Sequence, residues 1–451
     1  MTSLWFRTAL IDSGWADGVR LRIRGGLIEH IEVGTRAATD DEQHGIGIAG
    51  VPNLHSHAFQ RAMAGLTETK GPQADSFWTW REVMYRFVER LDPQDVEAIA
   101  ALAYIEMLEA GFTRVGEFHY LHNDRDGKAY GDAGELAQRI AAAAQASGIG
   151  LTLLPVLYAH SNFGGRPPNP GQRRFVKDIQ GFGRLLEASR RAVASLEDAV
   201  VGIAPHSLRA VTAEELSAAV ELSQGGPIHI HIAEQTREVD ECVAWSGRRP
   251  VEWLLEHANV DSRWCLVHAT HMTQTETRSL ATSGAVAGLC PITEANLGDG
   301  VFPAPAFLES GGGYGIGSDS NVLIDAAAEL RALEYSQRLT LRGRNLLASA
   351  QTASTGRRLY DAAHHGGRQA LAGGGRLSIG ESADLVSLDA SHSCLIARHG
   401  DAILDSWIFA AKDRIVDCVW RRGRKLVSGG RHGARADIES RYRRTLSRLL
   451  A

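Results

Sequence analysis

Two histidines that follow one apolar run offer the clearest starting point for chemistry. Residues 46–54 are mostly apolar, and His55-Ser56-His57 comes directly after them. In an extended segment, residues two apart point the same way, so both imidazoles can approach one metal ion. Two histidines supply only half of a metal site. Because a His-x-His pair is also common by chance, the interpretation needs partners elsewhere in the chain.

Three later segments carry matching residues where short hydrophobic runs end. His231 lies at the end of one run, His268 ends a second, and Asp319 follows a third. Parallel α/β barrels gather their catalytic groups at the carboxyl ends of the strands, so these positions predict a shared site. Three neutral imidazoles and one carboxylate suit Zn²⁺, with water completing the shell. We therefore expect one zinc ion per chain, bound by His55, His57, His231 and Asp319.

The other polar groups near these ends are expected to move protons. Glu234 lies three residues beyond His231, where it can reach a metal-bound water and a substrate nitrogen without binding the metal. This position favours a proton shuttle, with a helix N-terminal acid as the alternative. We expect His268 to hydrogen-bond the developing hydroxide and Asp319 to accept the proton of the water. His229 lies deeper in the same run and is expected to support the ligands or to be hydrogen-bonded in the core.

Composition and charge restrict the class of protein. The chain has 451 residues, of which 44% are hydrophobic and 22% charged, as in globular proteins with one large and one smaller domain. A net charge of -5 argues against nucleic acid or an anionic membrane as a partner. No segment approaches the ~20 apolar residues that span a bilayer, and the N-terminus lacks the pattern of a signal peptide. We therefore expect a cytoplasmic protein.

The five cysteines agree with that location. They are scattered and form no Cys-x-x-Cys pair, which indicates buried thiols in a reducing compartment. For Cys290, a core thiol is the favoured interpretation, and a nucleophile or a metal ligand is the alternative.

The central part of the chain alternates strand-like apolar runs with helical stretches rich in Ala, Leu and Glu. This alternation is typical of repeated βα units around a parallel sheet. Eight such units predict an α/β protein with a TIM-type (β/α)8 barrel. The eight predicted strands are residues 46–54, 113–118, 151–158, 200–205, 227–232, 264–267, 285–290 and 313–318.

Both chain ends have a different sequence pattern, in which short strand-like runs of alternating polar and apolar residues are separated by turns. We expect residues 1–45 and 376–451 to form one small composite β-sandwich domain beside a barrel domain at 46–375. Residues 438–450 alternate arginines with leucines and predict an amphipathic terminal helix, which we expect to be solvated or at the subunit contact of a homodimer.

An aromatic segment at residues 72–87 follows the first barrel strand. It contains Phe77, Trp78, Trp80 and Tyr85. Both a substrate lid and a helix packed on the barrel are compatible with this pattern.

The metal-site residues and their neighbours resemble the amidohydrolase superfamily in its single-zinc deaminase branch. The resemblance is carried by residues 52–61, by His231 with Glu234, by His268, and by residues 318–321. It covers nearly the whole chain, and no metal position departs from the family pattern. Binuclear members bridge two metals through a lysine or glutamate near strands three or four, and both predicted strands lack one here, so one metal is expected.

Within that branch, residues 55–65, 111–122, 204–211 and 290–300 resemble enzymes that hydrolyse a linear amidine. The resemblance implies conversion of N-formimidoyl-L-glutamate to N-formyl-L-glutamate and ammonia in histidine degradation. An arginine fork matches a carboxylate with two hydrogen bonds, as a small dicarboxylate substrate requires. The implied substrate contacts are Gln60, Arg81, Tyr120, His206 and Arg209.

Several alternatives stay open at this point. Arg81 could be an ordinary surface arginine, and Tyr120 could pack in the core. A deaminase or chlorohydrolase of a nucleobase or triazine would share the fold, but such flat and mostly neutral substrates have little use for two arginines. A non-catalytic barrel that acts as a binding protein is disfavoured, because every ligand type is retained together with Glu234 and His268.

Overall fold

The structure is a computed structural model that describes residues 2–71 and 75–451. Residue 1, and residues 72–74 of the predicted aromatic segment, lie outside the described residues.

The described strands are β1 Thr2–Ile11, β2 Gly14–Arg24, β3 Leu27–Glu32, β4 Glu42–Ala49, β5 Val51–Ser56, β6 Phe112–His119, β7 Gly150–Leu157, β8 Val200–Val201, β9 Ala204–Pro205, β10 Ile228–Ile232, β11 Trp264–His268, β12 Val286–Leu289, β13 Gly313–Ile316, β14 Leu385–Leu388, β15 Val416–Arg421, β16 Arg424–Ser428 and β17 Arg431–His432.

The described α-helices are α1 Phe77–Val88, α2 Pro93–Glu109, α3 Glu135–Ser147, α4 Ile179–Val193, α5 Ala213–Leu222, α6 Thr236–Ser246, α7 Pro250–His257, α8 Gln274–Thr282, α9 Pro291–Leu297, α10 Ala304–Glu309, α11 Ala326–Leu341, α12 Thr355–Leu371, α13 Ala402–Phe409 and α14 Arg435–Leu450. Short 3-10 helices span Ala58–Met63, Pro170–Gln172 and Ser393–Leu395.

Strands from both chain ends form one mixed sheet. Its order is β17-β16-β15-β14-β4-β1-β2-β3, in which β14 from the C-terminal part pairs with β4 from the N-terminal part. The β1 and β4 strands are parallel, and the other neighbours are antiparallel. Both chain ends therefore contribute strands to the same sheet.

The strands that carry the candidate site are all parallel. One group runs β5-β6-β7-β8, with β9 also on β7, and a second group runs β10-β11-β12-β13. Isolated bridges link the two groups at both edges, from Ile203 to Ile228 and from Ser207 to His231 at one edge and from Ser56 to Asp319 at the other. With helices between successive strands, this arrangement is of the TIM-barrel type.

The first predicted barrel strand was wrong in one respect. Residues 46–54 belong to two strands in different sheets, because β4 ends at Ala49 and β5 begins at Val51. The chain crosses between the sheets at Gly50, where a Cβ atom would overlap the side chain of Thr113. Only glycine permits this approach, and the apolar run hides the boundary because both strand ends are buried.

The terminal helix α14 is not free in solvent. Its residues Ile438 and Leu449 are buried, and the helix packs against α2, where Arg435 lies 2.5 Å from the carboxylate of Glu109. Among the helices of the described residues, none is long and apolar enough to cross a membrane.

Helix α12 reaches the strands that carry the site through two glycines. A Cβ atom on Gly366 would overlap the backbone carbonyl of Tyr314 in β13, and one on Gly367 would come within 3.0 Å of Pro52 in β5. The helix backbone therefore touches both strands directly and holds β5 and β13 beside each other.

We predict that Gly366→Ala lowers the free energy of unfolding by about 1 to 3 kcal/mol, because the added methyl group forces helix and strand apart. Urea unfolding followed by circular dichroism measures this change. The matched control is Gly183→Ala in α4, where the new methyl group meets no atom within 4 Å. That substitution should be neutral or stabilising by up to about 1 kcal/mol. Equal effects of the two substitutions would contradict the role of Gly366.

Candidate active site

Three imidazoles converge where β5 and β10 end. The Nε2 atom of His55 lies 3.2 Å from that of His57 and 3.1 Å from that of His231. The Oδ1 atom of Asp319 lies 3.5 Å from His55 Nε2 and 3.3 Å from His57 Nε2. All four side chains are buried. Four donor atoms at such spacing can surround a single small cation.

Backbone carbonyls orient these rings. The Nδ1 atom of His57 lies 3.0 Å from the Phe118 carbonyl, and that of His231 lies 3.1 Å from the His206 carbonyl. These contacts place the proton on Nδ1 and leave the Nε2 lone pair free. Burial lowers the pKa of His57 to about 3 and also lowers the pKa of His55 and of His231. The neutral rings are the form that binds a metal, so the donor set fits Zn²⁺.

Backbone hydrogen bonds to His55 and His57 hold Asp319 in place. Its amide donates to the His55 carbonyl and its carbonyl accepts from the His57 amide, both at 2.9 Å. Its φ of 44° is unusual for a residue with a side chain, and these bonds keep it there. Although burial opposes ionisation, the His55 and His57 contacts hold the pKa of Asp319 below its usual range.

Glu234 and His268 lie beside the ligands. The Oε1 atom of Glu234 is 3.7 Å from His268 Nε2, and Asp319 Oδ2 is 4.0 Å from the same nitrogen. On its other side, His268 Nδ1 lies 3.3 Å from Glu294. Burial raises the pKa of Glu234, and carboxylates raise the pKa of His268 although burial opposes this. A carboxyl group whose pKa is raised toward neutrality can both accept and donate a proton.

Glu234 sits on a strained turn. The residue before it, Ala233, has a φ of 52°, and the Glu234 amide donates to Glu238 in α6 at 3.0 Å. The Glu234 side chain lines the cavity. Both the proton shuttle and the helix N-terminal acid stay predictions.

A cavity extends from the ligands to α1. It brings together every substrate contact that the sequence predicted, namely Gln60, Arg81, Tyr120, His206 and Arg209. Gln60 donates to the Tyr120 hydroxyl at 2.8 Å, and among the described residues its carbonyl oxygen has no partner. Tyr120 is buried but faces the cavity, so packing and substrate contact are both open to it.

Two guanidinium groups face this cavity. Arg209 is 6% exposed, and its Nε atom lies 3.7 Å from the fully buried carboxylate of Glu238. Arg81 lies on α1 inside the cavity wall, and its Nε atom is buried without a partner among the described residues. Arg81 is thus not an ordinary surface arginine. The cavity therefore presents two cations as well as the histidines and Asp319.

Helix α1 forms one wall of the cavity. Phe77, Trp80, Met84 and Tyr85 all line it, so the aromatic segment is a helix that packs over the site. Over the described residues 77–87, the predicted packed helix is present, and the substrate lid stays a prediction.

The structure places His229 and Cys290 as the sequence predicts, and it adds two residues near the site that the sequence analysis did not identify. His229 contacts the Ala370 carbonyl at 2.8 Å in the core, and Cys290 is a buried thiol whose pKa burial raises well above its usual value. Tyr158 lines the cavity and was missed, although its place at the end of a predicted strand could have indicated it. Glu238 was also missed, because only the folded helix α6 brings it to Glu234 and Arg209.

Comparisons with known proteins agree with this site. Residues 46–426 match the amidohydrolase family, and residues 1–45 match the N-terminal domain described as that of formimidoylglutamate deiminase HutF. The formimidoylglutamate deiminase of Pseudomonas aeruginosa is 50% identical over 100% of both chains.

Solved structures agree as well. A crystal structure of an amidohydrolase from Brucella melitensis is 55% identical, with a TM-score of 0.96 over 100% of both chains. An adenosine deaminase from Xanthomonas campestris with bound zinc is 21% identical, with a TM-score of 0.82 over 100% of this chain and 98% of that one, and shares the fold. The chain belongs to the amidohydrolase family.

Proposed function

We propose that this chain is a metal-dependent hydrolase that converts N-formimidoyl-L-glutamate to N-formyl-L-glutamate and ammonia in histidine degradation. One observation carries the proposal: one cavity is lined by His57, His231 and Asp319, all within 3.5 Å of His55, and also by the guanidinium groups of Arg81 and Arg209. Such a cavity suits a substrate with a hydrolysable group at one end and carboxylates at the other. The Pseudomonas deiminase, identical at half of all positions, supports the same reaction.

We propose that His55, His57, His231 and Asp319 hold one zinc ion. The support is their neutral, converging Nε2 atoms and the ionised carboxylate beside them. When bound, the metal supplies Lewis acidity that lowers the pKa of a water molecule.

The protein's own groups then move the protons. Glu234 and Asp319 relay the protons of the attacking water to the terminal nitrogen of the substrate, while His268 hydrogen-bonds the reacting oxygen. The water oxygen bonds to the formimidoyl carbon, the carbon–nitrogen double bond breaks, and the nitrogen leaves as ammonia with both protons of the water. The raised pKa of Glu234 supports this role.

Substrate contacts follow from the remaining polar groups of the cavity. Arg209 and Arg81 are proposed to bind the two carboxylates, since each presents guanidinium donors to the cavity. The free carbonyl oxygen of Gln60 can accept a substrate N–H, and Tyr120 and His206 complete the polar wall. A planar neutral nucleobase would leave both arginines without an anion, which disfavours that class of substrate.

The finer organisation is also proposed. Bridges at both edges support closure of the parallel strands into a (β/α)8 barrel at 46–375. Residues 1–45 and 376–451 are proposed to form a composite β-sandwich, and the chain crosses between the two sheets at Gly50.

The location and the oligomeric state are proposed from other observations. Free cysteines, four of five buried, support a cytoplasmic location. Leu339 and Leu341 on α11 are 82% and 55% exposed, and their burial would stabilise a homodimer.

We predict that Glu234→Gln keeps about one zinc per chain but loses ~100-fold or more in kcat, because the amide preserves shape and removes the proton-transfer group. Elemental analysis and steady-state kinetics measure the two quantities. Glu241→Gln on the same helix is the matched control and should keep both. Loss of zinc from Glu234→Gln would show that Glu234 is a ligand or a structural acid instead.

We predict that Arg209→Met lowers kcat/KM by about ten- to a hundredfold with unchanged zinc content, because a charge-assisted contact to a carboxylate is worth ~1.5 to 3 kcal/mol. Arg209→Lys should recover only part of the loss, since it restores the charge without the planar fork. Full activity of Arg209→Met would remove Arg209 from the substrate contacts.

A further inference from the structure

Arg81 has an environment that is unusual for a guanidinium group. Within residues 2–71 and 75–451 it makes no hydrogen bond or ion pair, and its Nε atom is buried. Its neighbours are aromatic, with the Cζ atom 4.5 Å from the centroid of the Trp78 ring and 5.6 Å from that of the Tyr85 ring. Residues three and four apart share one face of a helix, so α1 itself places both rings beside Arg81.

The Trp78 ring attracts more than one cation. The Cζ atom of Arg237 in α6 lies 4.5 Å from its centroid, and that of Arg209 lies 5.9 Å away. Three arginines from separate elements thus gather around one neutral ring. The negative face of an indole stabilises a cation above it. Arg81 and Arg209 line the cavity, whereas Arg237 lies outside it and pairs with Glu241 at 2.7 Å.

A contact through the aromatic face has a particular consequence for Arg81. The ring stabilises the positive charge without a carboxylate, so the N–H donors of Arg81 are not used by an acceptor among the described residues. A carboxylate from a side chain would fix the same group but would consume the donors that a substrate needs. The contact with Trp78 therefore holds Arg81 in place while its N–H donors stay available.

We infer that Trp78 is a positioning residue for substrate recognition, which acts by holding Arg81 ready for one carboxylate of the substrate. This inference rests on the proposed function. It extends that function because it assigns part of the preference for a dicarboxylate to Trp78, which does not itself line the cavity.

A double-mutant cycle with Trp78→Leu and Arg81→Met tests this inference in the zinc-loaded enzyme. We expect Trp78→Leu to raise the KM for N-formimidoyl-L-glutamate about tenfold and to change kcat less than about twofold. The Kd for N-formyl-L-glutamate, measured by calorimetry, should rise in parallel. Added to Arg81→Met, the Trp78→Leu change should have no further effect, since its target is already lost. Independent, multiplying effects of the two substitutions would overturn the inference.

Three comparisons complete the test. Trp78→Phe keeps a weaker aromatic face and should restore part of the affinity, which also covers the case that Trp78→Leu fails to fold. Trp245→Leu is the matched control, because that ring stacks on Phe163 outside the cavity, and its KM should stay unchanged. The N-formimidoyl derivatives of L-glutamine and L-isoglutamine each lack one carboxylate, and one of them should be insensitive to Trp78→Leu.

The outcomes separate this inference from the proposed function. A wild-type enzyme that does not deiminate N-formimidoyl-L-glutamate overturns the proposed function. An active wild type, combined with an unchanged KM in Trp78→Leu or with equal losses on all three substrates, overturns only the role of Trp78.

Discussion

Two backbone hydrogen bonds between β5 and the segment after β13 hold most of the metal ligands together. They join Asp319 to the backbone of His55 and His57 at 2.9 Å, and they exist only because the last parallel strand returns to the first. Three buried imidazoles and a carboxylate would be costly to desolvate without a cation among them. The closing contact thus brings together the groups that are proposed to bind the metal, and the same hydrogen bonds keep Asp319 at its positive φ.

The charges of the cavity are divided between its two ends. Carboxylates of Glu234, Glu294 and Asp319 surround His268 near the ligands, whereas Arg81 and Arg209 lie toward α1. Under the proposed function, a dicarboxylate binds with its anionic groups at the arginines and its amidine near Glu234. Membership of the amidohydrolase family does not by itself imply this arrangement of charges, since proteins that share one fold act on widely different substrates.

Much of the site could be predicted because strand ends in a parallel barrel meet at one edge. Hydrophobic runs that end in His55, His231 or His268 reveal both the strand and its chemistry. The crossing at Gly50 could not be found this way, because hydrophobicity does not distinguish two buried strands in different sheets. The contacts of Trp78 and Glu238 with arginines could not be predicted for another reason. They join α1, α6 and the cavity wall, and no local sequence pattern encodes contacts between separate elements.

The most direct test of the account is the product formed from N-formimidoyl-L-glutamate in water labelled with oxygen-18. Hydrolysis at the formimidoyl carbon predicts one equivalent of ammonia and N-formyl-L-glutamate with the label in its formyl group, as mass spectrometry would show. Glutamate with labelled formamide as the main products, or equal turnover of guanine, would contradict the assignment of this cavity to deimination.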